Sequence, residues 1–311
     1  MSAAAGRAAV RGPGALAVRA REDWEHNPLV HDGTDRLREG DILNIEHLSI
    51  SFGGLKALDD ISFSIRENEI FGLIGPNGAG KTTVFNCVTQ FYTPDAGQVW
   101  FRYDPARLHR QSTAHAARSE VIDLVGRPTH SIIRYGLVRT FQNVEIIPEL
   151  SLIDNVLIGG HVDFRATMLE QVFRLPRARR EEKIFRDKAM RALTFMGIAR
   201  YKDQLAGGQP YGVLKKLEMA RTLMAEPSLI ILDEPAAGLN DTETADLAAT
   251  IRRVRDDYHC AILLVEHDMR LVMTVCERIC AISFGKFLAL GTPEEIQRDK
   301  VVQEAYLGEQ E

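Results

Sequence analysis

Eight consecutive residues constrain this chain more than any other stretch: Gly75-Pro76-Asn77-Gly78-Ala79-Gly80-Lys81-Thr82. They fit the pattern G-x-x-x-x-G-K-[ST] at every fixed position. A fully apolar run, Ile70-Phe71-Gly72-Leu73-Ile74, stands directly before them, and Thr83-Val84-Phe85 follows. Such a setting predicts a buried strand, a tight loop and a helix. The chemistry needs these residue types. Gly75, Gly78 and Gly80 let the backbone fold closely around phosphates, so that N–H groups along Asn77 and Ala79 point inward. Lys81 brings a cation to the β- and γ-phosphates, and the Thr82 hydroxyl can ligate Mg²⁺. A helix starting near Lys81, through Thr82 and Thr83, adds its positive end. The base-reading N-K-x-D of GTP-binding proteins is absent from the sequence, so ATP is the expected nucleotide.

The rest of the chain supplies the scaffold such a loop requires. Ile42 to Ile45 and Leu48 to Phe52 partly alternate in polarity, and Ile61 to Ile65 alternates cleanly, as a half-buried strand does. Apolar runs recur at Leu229 to Leu232 and Ala261 to Val265, with helical patterns at Leu214 to Met224 and Asp246 to Val254. Buried strands alternating with helices predict an α/β layered core. A final hairpin is expected from Ala281 to Phe284 and Phe287 to Leu290, turning at Gly285-Lys286. With 311 residues the chain can bury about three-quarters of its unfolded surface, so a large core is possible without staples.

Three stretches stand apart. Residues 1–40 begin with an Ala- and Gly-rich segment whose arginines interrupt every apolar run. They read as a disordered extension rather than a signal peptide. Residues 101–131 carry many Arg and His among few apolar residues and read as a surface insertion. Residues 143–220 are expected to form a helical subdomain, with a basic cluster at Arg174, Arg177, Arg179 and Arg180.

A net charge of −5 argues against a sequence-wide affinity for nucleic acid, so no nucleic-acid partner is expected. No stretch approaches the length of a membrane-spanning apolar segment. The four cysteines, Cys87, Cys260, Cys276 and Cys280, are too few for a disulfide framework and read as small buried thiols in a reducing compartment.

A second half of the site lies far along the chain. Ile230-Ile231-Leu232-Asp233-Glu234 ends a buried strand with two carboxylates. Asp233 can hold Mg²⁺ and Glu234 can polarise an attacking water. His267, after the strand ending at Val265, can reach a γ-phosphate.

At these residues the sequence resembles the ATPases of ABC transporters. Leu232 to Asn240 resembles their Walker B motif and D-loop, Glu266-His267-Asp268-Met269 their switch histidine, and Thr140-Phe141-Gln142 their Q-loop. The resemblance implies a P-loop NTPase fold with a RecA-like core, an antiparallel β subdomain and a helical signature subdomain, over residues 41–309. It gives Gln142 a role in sensing Mg²⁺ and coupling to membrane subunits, and makes Phe52 the aromatic that stacks on adenine. Leu205-Ala206-Gly207-Gly208-Gln209 looks like the family's L-S-G-G-Q signature. Counting back from Ala220-Arg221-Thr222-Leu223 instead puts the signature at Gln209-Pro210-Tyr211-Gly212-Val213. Pro210 stands where a serine is usual, so a hydroxyl contact to the partner's ATP is missing, and hydrolysis is expected to survive on the backbone N–H groups of Tyr211 and Gly212.

Less generic text narrows the resemblance. Lys81 to Tyr92, Asp233 to Asn240, Val265 to Met273, Gly291 to Ile296 and Ala305 to Glu309 are similar to the first of the two ATPases in branched-chain amino acid importers. ATPases of urea importers and lipopolysaccharide exporters share much of it. The resemblance implies ATP and Mg²⁺ as ligands and a second ATPase subunit whose signature closes over the bound ATP. It also implies two transmembrane permeases, an extracytoplasmic binding protein, and a peripheral place on the cytoplasmic face of the membrane.

Overall fold

The computed structural model describes residues 37–105, 119–140, 146–160 and 176–307. The expected extension therefore lies outside the described residues as far as residue 36.

Order in the sheets begins at Asp41. Strands β1 (Asp41–Phe52), β2 (Leu55–Arg66), β4 (Ala96–Tyr103) and β5 (Glu120–Asp123) form an antiparallel sheet in the order β2-β1-β4-β5. Phe52 pairs with Leu55 across Gly53 and Gly54, whose φ values of 55° and 88° suit the mirror-image turns that match strand twist. The two apolar runs expected at the start are one strand. Between them its register shifts at Ile45/Leu48, around His47 with a φ of 52°.

Two expectations change here. Ile61 to Ile65 is buried on both faces, not half-buried. Ser62 accepts a bond from the His47 N–H at 2.7 Å, and the Ser64 carbonyl accepts one from the Arg278 guanidinium at 2.9 Å. Both hydroxyl-bearing positions thus lie under other elements. Residues 101–131 are not wholly a surface insertion either. Trp100, Phe101, Arg102 and Tyr103 pair with Asp123, Ile122, Val121 and Glu120, and Phe101, Leu124 and Ile132 are buried. The apolar positions were spread too thinly to show a period. Residues 106–118 lie outside the described residues.

The second sheet has six strands in the order β10-β9-β3-β8-β7-β6. These are β3 (Ile70–Ile74), β6 (Leu137–Arg139), β7 (Leu229–Asp233), β8 (Ala261–Val265), β9 (Arg278–Ser283) and β10 (Lys286–Gly291), and only β10 runs antiparallel. Alternate residues of the buried strands serve two cores. Ile70, Ile74, Ile230, Leu232, Ile262 and Leu264 face a helical layer. Phe71, Leu73, Leu229, Ile231, Leu263 and Val265 face the antiparallel sheet and helix α1 (Lys81–Val88). That two-sided burial is why these strands read as continuous apolar runs. The helical layer holds α2 (Leu152–Gly159), α3 (Pro176–Phe195), α4 (Tyr211–Leu223), α5 (Asp241–Tyr258) and α6 (Met269–Val275). All four cysteines are buried and none is in a disulfide among the described residues. No helix among the described residues is long and apolar enough to cross a membrane.

The final hairpin turns one residue earlier than expected, at Phe284 and Gly285, with φ values of 47° and 71°. Gly285 is needed there: a Cβ would meet the Ala57 carbonyl at 2.3 Å. A buried ion pair joins the two sheets. Arg278 binds both carboxylate oxygens of Glu69 at 2.6 and 2.9 Å, with its guanidinium over the Phe71 ring.

Candidate nucleotide-binding and catalytic site

Open parallel sheets bind ligands beyond the carboxyl ends of their strands, and Lys81, Asp233, Glu234 and His267 lie there with Arg139 and Glu266 among them. Four neighbouring strand ends carry them. Arg139 ends β6, Asp233 ends β7 with Glu234 next to it, Glu266 and His267 follow β8, and the glycine-rich loop follows β3.

The loop from Gly75 to Gly80 is held against the last hairpin. The Gly285 N–H donates to the Ala79 carbonyl at 2.9 Å, and Ala79 N–H to Pro76 at 3.1 Å. A Cβ at Gly75 would lie 2.2 Å from the Ile282 carbonyl oxygen, so only glycine fits. Gly80 has a φ of 102° and precedes α1 without a side-chain cap. The first N–H groups of α1, at Lys81, Thr82 and Thr83, are therefore available to an anion. Lys81 is 7% exposed, and its ammonium donates to the Gly75 and Pro76 carbonyls at 2.6 and 2.9 Å. Those carbonyls hold the cation inside the cradle.

The acids lie beside it. Asp233 is 6% exposed and sits 3.3 Å from the Arg139 guanidinium. Burial raises its carboxyl above the usual range, outweighing Arg139, and the charges of Glu234 and Glu266 push the same way. Glu234 has a φ of 45°, a costly conformation for a side-chain-bearing residue. It is fixed by its N–H on the Val265 carbonyl at 2.9 Å. Its carboxylate lies 3.7 Å from His267 Nδ1. The structure thus brings Glu234 and His267 together.

Two residues that the sequence reading left unassigned organise this cluster. Arg139 donates to Asn86 Oδ1 on α1 at 2.7 Å, lies over the Phe85 ring and reaches Asp233, so it ties the loop's helix to the acid. Glu266 is wholly buried and accepts from the N–H groups of Ala236 at 2.8 Å, His267 at 3.0 Å and Asp268 at 3.2 Å. It joins the turn after Glu234 to the turn carrying His267. Its place between Val265 and His267 was the available signal, because an acid at the end of a buried apolar run must find partners.

Phe52 is 44% exposed and meets Tyr92 edge-to-face at 5.1 Å, forming an aromatic ledge at the end of β1. Thr140 is buried, with its N–H on the Ile231 carbonyl at 2.9 Å. Phe141 and Gln142 lie outside the described residues.

The model of the ABC transporter family matches residues 58–237 of the chain. The chain belongs to the ABC transporter ATPase family. A second model, for the branched-chain amino acid ATP-binding cassette transporter, matches residues 288–311. The cassette is 39% identical over 268 residues to the high-affinity branched-chain amino acid transport ATP-binding protein BraF of Pseudomonas aeruginosa, covering 86% of this chain and 98% of that one. It is 38% identical to LivG of Escherichia coli, with the same coverage. It is 31% identical over 269 residues to the lipopolysaccharide export ATP-binding protein LptB of Haemophilus influenzae, covering 86% and 98%. Among solved structures it is similar to the ADP conformation of MJ1267, an ATP-binding cassette of an ABC transporter. The TM-score is 0.70 and the identity 28%, over 86% of this chain and 99% of that one.

Within the cassette, α4 begins at Tyr211 with Pro210 as its N-cap. The run from Leu205 to Gln209 has no helix start. Leu205 bridges to Ser151, and the Gly207 N–H bonds the Pro148 carbonyl at 2.9 Å. The Tyr211 hydroxyl donates to the Ala237 carbonyl at 3.3 Å. Among the described residues no hydrogen bond links Pro210, Tyr211 or Gly212 to the glycine-rich loop.

The oxygen groups of Thr82 and Asp233 suit a hard cation. Among the described residues no cluster of three or more His, Cys, Asp or Glu could hold a metal alone. That donor set fits Mg²⁺, which keeps its waters and binds through few protein groups together with substrate phosphates.

Proposed function

We propose that this cassette is the ATP-hydrolysing subunit of an ABC importer that powers uptake of branched-chain amino acids. The hydrolytic half of the reading is carried by the line of strand ends that holds Lys81, Asp233, Glu234 and His267 together. The substrate half is supported by the match of residues 288–311 and by relatives at 38–40% identity named for branched-chain amino acid transport. The export relative at 31% keeps another cargo as the second reading.

ATP rests on the cradle from Gly75 to Thr83, its adenine against Phe52 and its phosphates against Lys81 and the uncapped N–H groups of α1. Thr82 and Asp233, with Gln142, would hold Mg²⁺, which would supply charge neutralisation at the β- and γ-phosphates. Glu234 accepts a proton from the attacking water while His267 contacts the γ-phosphate. Pro210, Tyr211 and Gly212 act on the ATP of a second ATPase subunit. Two permeases and an extracytoplasmic binding protein complete a system in which this chain sits peripherally at the cytoplasmic face.

The test is ATP turnover in the complex recovered from detergent-extracted membranes through a tag on this chain. Permeases and a second ATPase should co-purify, and Glu234→Gln should abolish turnover while ATP still binds. A chain found only in the soluble fraction, or a Glu234→Gln complex with full turnover, would refute the reading.

A further inference from the structure

A cleft of about 270 Å³ opens behind the start of α4, between that helix, the short helical turn Ala199–Tyr201 and α5. Ile198, Met219, Leu239 and Leu247 give it an aliphatic wall. Lys215 also lines it. This lysine is 7% exposed, and its ammonium has only the face of the Tyr211 ring, 5.6 Å away. Among the described residues no carboxylate lies within ion-pair distance of it and no hydrogen bond satisfies it. The stem of Lys215 is buried while its ammonium opens into the cleft without a counter-ion, so the site favours an incoming anion.

The acids along the cleft are already engaged. Asp246 pairs with Lys216 at 2.6 Å. Glu243 accepts from the Asn240 N–H at 3.0 Å in the capping box that starts α5. Arg200, at the rim, adds a second positive charge with its guanidinium over the Tyr201 ring. The unbalanced charge facing the aliphatic wall is therefore positive. The volume lies just under the roughly 300–1,000 Å³ of ordinary small-molecule pockets, which limits the occupant to a small molecule.

We propose that this cleft binds a small aliphatic carboxylate, its carboxylate on Lys215 and its hydrocarbon part against Ile198, Met219 and Leu239. Amino acids and their α-keto acids share that chemistry. The site is separate from the phosphate cradle and does not depend on which cargo is transported. An occupant that draws Lys215 from the Tyr211 ring reaches a residue whose hydroxyl holds the Ala237 carbonyl, in the turn after Glu234. Binding in the cleft thus connects to both the start of α4 and the catalytic turn.

The experiment is NMR of the full-length chain with labelled Met and Ile methyl groups, titrated with leucine, with the α-keto acid of leucine, and with leucinamide, which lacks the carboxylate. Saturable shifts at Met219 and Ile198 are expected from at least one of the two carboxylates and none from leucinamide. Which carboxylate binds assigns the source. Lys215→Met should weaken binding about tenfold or more, as loss of a charge-assisted bond does, and Lys215→Arg should retain it. The proposal is overturned if neither carboxylate moves those methyls up to about 20 mM, far above a millimolar dissociation constant. It is also overturned if leucinamide moves them equally, or if Lys215→Met binds as well as wild type. Should Lys215→Met fail to fold, the contrast between carboxylate and amide in the wild-type chain still decides.

Discussion

Replacing Glu266 by Gln keeps the side chain's size and removes one acceptor. The carboxylate, wholly buried, holds three backbone N–H groups, those of Ala236, His267 and Asp268. Hydrogen bonds to a charged group contribute about 1.5–3 kcal/mol each. In its better orientation the amide oxygen keeps His267 and Asp268, and the NH₂ then opposes the Ala236 N–H. One bond is lost and two drop to neutral strength, a cost of about 3 kcal/mol. The flipped amide loses two bonds and costs more. At about 2–4 °C per kcal/mol for domains approaching this size, Tm should fall by about 6–12 °C. The bonds also fix the spacing of Glu234 and His267, so turnover at saturating ATP should drop by up to about 100-fold while KM for ATP changes little. Calorimetry and ATPase assays on the complex measure both. A variant within about 1 °C of wild type and with full turnover would refute the reasoning.

Arg278→Met should cost about 3–5 kcal/mol in urea unfolding, because it strands the Glu69 carboxylate in the core, and adding Glu69→Leu should recover much of it. A single variant costing under about 1 kcal/mol would contradict this. Phe52→Ala should weaken ATP binding by about tenfold, the loss of base stacking, with Tm unchanged; titration of a fluorescent ATP analogue measures it. Asp233→Asn should raise the Tm of the nucleotide-free chain at pH 7. The carboxyl's folded pKa lies above its unfolded value near 3.8, so its stabilising contribution is present below pH 3.8 and lost as pH rises through the folded value. The advantage of the variant should vanish below pH 3.8, which a Tm series across pH would show.

Sequence legibility followed the range of the interactions. The loop from Gly75 to Thr82 and the pair Asp233-Glu234 are local patterns, and each adjoins an apolar run whose two-sided burial leaves a continuous signature. The helical pattern read from Leu214 to Met224 matches α4 as far as its C-cap at Met224, and the helix start at Tyr211 lies three residues earlier. Arg139 and Glu266 could not be assigned roles from local patterns. Arg139 acts on Asn86 and Asp233, 53 and 94 residues away, and Glu266 on Ala236, 30 residues back. The Glu69–Arg278 pair spans 209 residues. Pairing also hid in short strands: Glu120 to Asp123 is too brief to display alternation, so its pairing with β4 was invisible. At the last turn, Gly285 drew the expectation one residue late because Phe284, exposed and at positive φ, is an unusual residue for that position.

In the proposed role this cassette drives branched-chain amino acid uptake, with Glu234 as the group that activates water. Labelled leucine uptake tests it most directly, in cells lacking the gene and restored with wild type or Glu234→Gln, with excess valine, urea or glutamate as competitor. Uptake should be restored by wild type alone and competed by valine alone. Restoration by Glu234→Gln, or uptake that deletion leaves unchanged, would contradict it.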